Sequence, residues 1–273
     1  MKNNSFLVLV QNSELVNDLR DNEHISFVYP LKFFSVGFIN YFDSSQIPKS
    51  GYIYVNKALN NKDLKHLEEI LNTHTYRGII FDDLGIIELV KNLKMEKILY
   101  QPHQLANYES INEMLAFVDS VILTTDLTKE EIGNILEKSS KKICIYGLGF
   151  LSVMYSKRKL LSNYYEHYKL PMKKELNIFS DDKELLLVET PDGTVLYETP
   201  CYINNYYLNH DKVLYTFINS LYLNSSEVLD YMKSGKANIL SSVKYLDHET
   251  VYKLKDGDGN AWVISASWRH YES

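Results

Sequence analysis

Residues 78–101, GIIFDDLGIIELVKNLKMEKILYQ, decide the fold. Gly78–Phe81 is a short apolar run without alternation, Asp83–Leu93 spaces its apolar residues along one helical face, and Ile98–Gln101 is a second apolar run. A strand whose successive residues are all apolar is covered on both faces, and a helix joining two such strands makes them parallel neighbours. The stretch therefore reads as strand, helix, parallel strand.

The same rhythm continues in both directions. Before it, Phe6–Val10, Ile25–Tyr29 and Tyr52–Asn56 read as strands, with helices over Ser13–Arg20 and Asp63–Asn72; Leu64, Leu67, Ile70 and Leu71 share a face of the latter. After it come a helix over Glu109–Phe117, a strand over Ser120–Thr124 and a helix ending near Lys138 that the Thr128-Lys-Glu-Glu131 capping box opens. A strand over Lys142–Gly147 closes the series. This alternation predicts an α/β chain with a mostly parallel sheet, either a (βα) barrel or an open doubly wound sheet.

Past residue 150 the pattern changes. Leu185–Thr190, the turn Pro191-Asp192-Gly193 and Thr194–Thr199 form a β-hairpin, because proline presets the turn entry and glycine supplies positive φ. Ser225 or Ser226 reads as the cap of a helix over Glu227–Lys233, with Gly235 as its stop. Asp256-Gly-Asp258-Gly-Asn260 reads as a polar turn, since the bidentate glutamate of a calcium loop would fall on Ser267. The economical organisation is one barrel domain over residues 1–255 with a hairpin insertion, and a tail over 256–273.

Composition narrows the function classes. At 273 residues the chain can bury a sizeable core, and 29 basic against 35 acidic residues leave a net charge of −6, so any contact with a polyanion must be local. Two cysteines, Cys144 and Cys201, exclude a disulfide framework or a four-thiolate cluster from this chain alone; the eight histidines lack metal-ligand spacing, and neither metal nor cofactor is expected. No apolar run is long enough for a signal core or a membrane span, and a cytoplasmic protein without membrane contact is expected. The spacings of common hydrolases, phosphate loops and dinucleotide folds are missing. Asp82 and Asp83 follow a strand at the end where barrel enzymes place chemistry, although Asp83 serves equally as a helix cap.

One segment departs from the acidic background. Residues 151–175, LSVMYSKRKLLSNYYEHYKLPMKKE, hold six cations against two acids, a surplus of four that leaves the rest of the chain at −10. Tyr155, Tyr164, Tyr165 and Tyr168 interleave with Lys157, Arg158 and Lys159. Cations that pair with phosphates beside rings that stack on unpaired bases suit RNA; a solvated basic face covering a barrel edge is the plain alternative.

Residues 144–164 also resemble the signature of the U32 peptidase family, E-x-F-x-H-G-x-x-C-x-x-x-S-G-R-C-L-L-S-N-Y. Gly149, Ser156, Arg158, Leu160, Leu161, Ser162, Asn163 and Tyr164 match it, and Tyr146 stands for its Phe. Asp119–Glu131, Ala106-Asn107-Tyr108, and Pro191-Asp-Gly-Thr194 followed by Cys201 are similar to further family segments in the same order. The resemblance implies a TIM-type barrel, and its branch with Ser156-Lys157-Arg158 implies a factor for hydroxylation of the tRNA wobble uridine, with tRNA as partner. Lys157, Arg158 and Lys159 would then meet phosphate, Asn163 would offer hydrogen bonds, and Tyr164 or Tyr165 would stack on a base. The family's Glu, His and two Cys are replaced by Cys144, Leu148, Ser152 and Lys159, and its Arg-Glu by Thr125-Asp126, which leaves Asp126 as the catalytic candidate. Two alternatives follow: a peptidase using Ser152, Ser156 or Ser162 near His167, or a non-catalytic partner of a cysteine-bearing U32 paralogue, marked by apolar surface at Phe33, Phe34 and Phe38.

Overall fold

The computed structural model describes residues 5–180, 183–199 and 201–236. They divide into two compact units, one of residues up to 36, 40–147 and 205–218, the other of 37–39, 148–204 and the residues from 219 onward. The Asp256–Asn260 stretch and the tail lie outside the described residues.

The first unit is a closed parallel barrel. Its strands are β1 (Phe6–Leu9), β2 (Ile25–Pro30), β3 (Tyr52–Val55), β4 (Gly78–Phe81), β5 (Glu96–Leu99), β6 (Ser120–Val121) and β7 (Ile143–Gly149), and the chain returns late to add a further strand, Val213–Asn219. Between them run α1 (Ser13–Leu19), α2 (Asn61–Thr73), α3 (Gly85–Val90), α4 (Tyr108–Leu115) and α5 (Lys129–Lys138). Strands β1 to β6 pair in order and in parallel register, from Phe6 opposite Ile25 to Leu99 opposite Val121. The Val213–Asn219 strand sits between β7 and β1, and the Ile122–Cys144 bridge, with Leu123 N–H donating to the Cys144 carbonyl at 3.0 Å, joins β6 to β7 and closes the ring of eight.

Alternation sorts the barrel side chains. Ile53, Val55, Ile79, Phe81, Leu99, Val121 and Ile145 face outward into a core shared with Leu67, Ile86, Ile111, Ile132 and Ile135 of the helices. The opposite parity points to the barrel axis. There Tyr54, Tyr100 and Tyr146 surround Phe217, with ring centroids 5.5–6.5 Å apart. At the strand beginnings Tyr52 donates to Glu96 and lies 3.1 Å from the Tyr215 hydroxyl, while Arg77 donates to Tyr215 at 3.2 Å and to Ser26 at 2.8 Å. Gly78 makes room for this layer, since a Cβ there would fall 2.4 Å from the Tyr52 ring.

Local chemistry sets the helix starts. Thr128 and Glu131 form the expected capping box, Asn107 caps α4 by accepting from Ser110 N–H at 2.9 Å, and Asp83 accepts from Gly85 N–H at 2.9 Å and Leu59 N–H at 3.0 Å. Asp83 thus ties the Leu59 loop to the start of α3 from one residue before the N-cap, which is Leu84 and has no side-chain cap bond. The helix expected over Asp83–Leu93 is shorter, at Gly85–Val90.

The second unit is built on an antiparallel sheet. β8 (Ser152–Ser156), β9 (Glu175–Ser180), β10 (Lys183–Thr190) and β11 (Gly193–Glu198) run in the order β8-β11-β10-β9, so the expected hairpin, β10 and β11, is the centre of four strands. Helix α6 (Leu160–His167) packs Leu161 and Tyr165 on Leu187 of that sheet, with Leu176, Ile178 and Leu196 around them. Each such apolar side chain contributes about 1.5–3 kcal/mol when fully buried. The short β12 (Tyr202–Ile203) pairs with Gly149 and Leu148, the Val213–Asn219 strand is β13, and α7 (Ser225–Ser234) follows. Its cap is Asn224, which accepts from Glu227 N–H at 3.0 Å, so the expectation of Ser225 or Ser226 misses by one or two residues; Gly235 stops the helix at φ 69°. No helix among the described residues is long and apolar enough to cross a membrane.

Candidate functional site

The basic segment belongs to the second unit, on β8, α6 and the turn between them. Two pieces of sequence 34 to 36 residues apart build that turn together. Thr194, buried on β11, donates its hydroxyl to the Arg158 carbonyl at 2.9 Å and accepts from Leu160 N–H at 2.9 Å, while Ser156 accepts from Arg158 N–H at 3.2 Å. Gly193 is required by close approach, because a Cβ would lie 2.1 Å from the Ser156 carbonyl oxygen. Asp192 accepts from the Tyr155 hydroxyl at 3.0 Å.

The first turn of α6 is held from below. Glu189, whose side chain is fully buried, accepts from Ser162 N–H at 2.8 Å and from the Ser162 hydroxyl, and Lys174 reaches it at 3.4 Å. Burial alone would raise the Glu189 carboxyl, but the Ser162 bonds and Lys174 outweigh it and hold the group below the usual carboxylate range. A buried acid bonded to the exposed first turn aligns the helix dipole with a fixed negative charge.

The helix then has two faces. Leu161 and Tyr165, one turn apart, point into the sheet; Tyr165 is 5% exposed and forms core. Its assignment as a base-stacking residue is corrected, because helical spacing turns it inward. Asn163, Tyr164, His167 and Tyr168 face solvent, with Tyr164 46% and Tyr168 60% exposed and their rings 5.0 Å apart. Lys157, Arg158 and Lys159 are exposed on the turn that leads into this face. Tyr168 joins Tyr164 on this face, and the i, i+4 spacing between them is its signal in the sequence.

The barrel carries a second set of groups at the C-terminal ends of β4, β5 and β6, where enzymes of this fold place their chemistry. Asp82 follows β4, and its carbonyl accepts from Gln101 Nε2 at 3.0 Å. Burial pushes the half-buried Asp82 carboxyl up to about 6, and the Asp83 charge adds to the rise. Asp126, beyond β6, accepts from the Thr124 hydroxyl at 3.1 Å and lies 3.4 Å from His103 Nδ1. No cluster of three or more His, Cys, Asp or Glu able to hold a metal occurs among the described residues.

Other candidates separate. Ser162 is bonded to an acid, Ser156 to backbone, and the His167 ring stacks edge-on against Tyr168, so neither of these two serines is joined to His167 in these contacts. Phe34 and Phe38 are 1% and 7% exposed, so the apolar surface expected at Phe33, Phe34 and Phe38 reduces to Phe33.

The family model described as peptidase family U32 matches residues 39–172. Over that span the chain is similar to peptidase family U32. The matched span runs from the β2–β3 connection through α6 and so includes both the barrel ends described above and the cationic turn. Cys144 is fully buried 3.2 Å from the Ser120 hydroxyl, its thiol pushed up to about 12 by burial. A thiol so placed stays protonated and unreactive. Leu148 is likewise buried, whereas Ser152 and Lys159 are exposed. No curated protein matches this chain. Among solved structures, a Bacillus subtilis protein described as a sporulation-specific glycosylase, ydhD, aligns with TM-score 0.27 and 7% identity over 72% of this chain and 81% of its own.

Proposed function

We propose that this protein acts on RNA, as a tRNA-modification factor for wobble-uridine hydroxylation or an accessory subunit of one, and that its second unit holds the RNA. One observation carries the reading: a turn of three exposed cations, Lys157-Arg158-Lys159, runs straight into a helix whose exposed Tyr164 and Tyr168 rings lie 5.0 Å apart. Cations beside a pair of solvated rings match a single-stranded loop, whose phosphates are charged and whose bases are unstacked. Neither Ser156 nor Ser162 is joined to His167, which favours this over peptide hydrolysis.

The test is tRNA binding by the full chain across a salt series. Three phosphate contacts predict a log–log salt slope of about −2. Lys157→Glu/Arg158→Glu should abolish binding at physiological salt, and Tyr164→Ala or Tyr168→Ala should each weaken it about 5- to 150-fold, the value of one base stacked on a ring. Equal binding by wild type and the double variant would refute the reading.

A further inference from the structure

The ends of β4, β5 and β6 hold more than isolated polar groups. Gln101 ties the end of β5 to the Asp82 carbonyl on β4, and the Thr124–Asp126 pair on the β6 side reaches His103 beyond β5. Asp126 is fixed twice by Thr124, accepting from its hydroxyl at 3.1 Å and donating its own N–H to the same oxygen at 3.3 Å. Asp126 faces Nδ1 of the exposed His103 ring, so Nε2 is the ring nitrogen not engaged by that acid. Asp82 follows β4, the strand that pairs with β5. Asp83 spends both carboxylate oxygens on backbone amides of Leu59 and Gly85, and the Asp82 carboxyl accepts from its own amide and that of Asp83.

We propose that this rim is an acid–base centre in which His103 Nε2 accepts a proton, Asp126 positions His103, and Asp82 donates a proton to the same substrate. A base and an acid on adjacent strands complement a ring N–H next to a ring carbonyl, the lactam edge of an oxo nucleobase. His103 takes the N–H proton and Asp82 protonates the carbonyl oxygen, so the substrate keeps its proton count and oxidation state in this step and is activated as its enol tautomer. The raised Asp82 carboxyl supplies a protonated fraction near neutral pH. The choice of a nucleobase rests on the RNA reading above; the acid–base assignment itself rests on the rim.

The experiment measures tRNA nucleosides by mass spectrometry in cells lacking the gene and complemented with wild type, Asp82→Asn, His103→Gln, Asp126→Asn, Asp126→Glu or Lys157→Glu/Arg158→Glu, alongside tRNA binding by each purified protein. The inference expects a gene-dependent nucleoside to fall at least tenfold in Asp82→Asn and His103→Gln with binding kept, since positioned acids and bases contribute about 10²–10⁴ in rate. Asp126→Asn should fall with them and Asp126→Glu should recover most of the product, as a positioning role requires. The cation variant should lose both binding and product. His103 is exposed, so His103→Gln decides the matter if Asp82→Asn does not fold. Full product from Asp82→Asn or His103→Gln overturns the inference and leaves the RNA reading standing. Binding without any gene-dependent nucleoside also overturns it alone, whereas neither binding nor product overturns both.

Discussion

Glu189→Ala tests whether the exposed tyrosine face depends on one buried acid. The substitution removes the acceptor of the Ser162 amide and hydroxyl at the first turn of α6. Hydrogen bonds to a charged group are each worth about 1.5–3 kcal/mol, and Lys174, 64% exposed, adds little. Allowing for relaxation, local opening of the helix should become easier by about 3 kcal/mol, roughly a hundredfold in population. Native-state hydrogen exchange reads this directly. Amides of Asn163 and Tyr168, which bond to Lys159 and Tyr164, should exchange about a hundredfold faster, while those of Ile79 and Ile98 in the barrel keep wild-type rates. The sign with pH follows from the depressed carboxyl: its stabilisation is present above the ordinary glutamate value near 4.3 and lost as pH falls through the lower folded value. In Glu189→Ala the acid-induced loosening of α6 should disappear. Exchange on α6 within threefold of wild type would show that Leu161 and Tyr165 hold the helix unaided and that the reasoning is wrong.

Three further outcomes follow from the same contacts. Gly193→Ala would place a methyl 2.1 Å from the Ser156 carbonyl, so β8 and β11 must part at a cost of about 3 kcal/mol, read as a lowered thermal midpoint and weaker tRNA binding. Asn224→Ala should cost about 1 kcal/mol in urea unfolding through loss of the α7 capping box. The Asp82 carboxyl is raised, so its burial opposes folding increasingly as pH rises from the unfolded value near 3.9 through about 6. Asp82→Asn should therefore raise the thermal midpoint at pH 8 and give no gain at pH 4; a lowered midpoint at pH 8 would mark Asp82 as structural.

The barrel was legible because its signal is local. Apolar runs such as Gly78–Phe81 are too short for helices, and cap residues such as Thr128 with Glu131 act within one turn. The closing strand Val213–Asn219 carried no such frame, since it follows a long polar stretch instead of a helix of its own. In the second unit the charge of residues 151–175 was conspicuous while the helix within it was not. Reading the period would have put Leu161 and Tyr165 on one face and Tyr164 and Tyr168 on the other. Ser156, Ser162, Gly193 and Thr194 were visible as separate motif matches, but their joint purpose, fixing the turn before α6, depends on the long-range pairing of β8 with β11 and on the buried Glu189. The barrel rim was half legible: Asp83 at a helix start and Asp126 as an acid could be read, whereas His103 and Asp82 depend on which strand ends become neighbours.

Ultraviolet cross-linking of the intact protein to tRNA, with adducts mapped by mass spectrometry, tests the central claim most directly. The account predicts adducts on Tyr164 and Tyr168 and none on Tyr165, two residues facing out and one facing in. Adducts confined to other surfaces, or none at all under conditions where tRNA is bound, would contradict it.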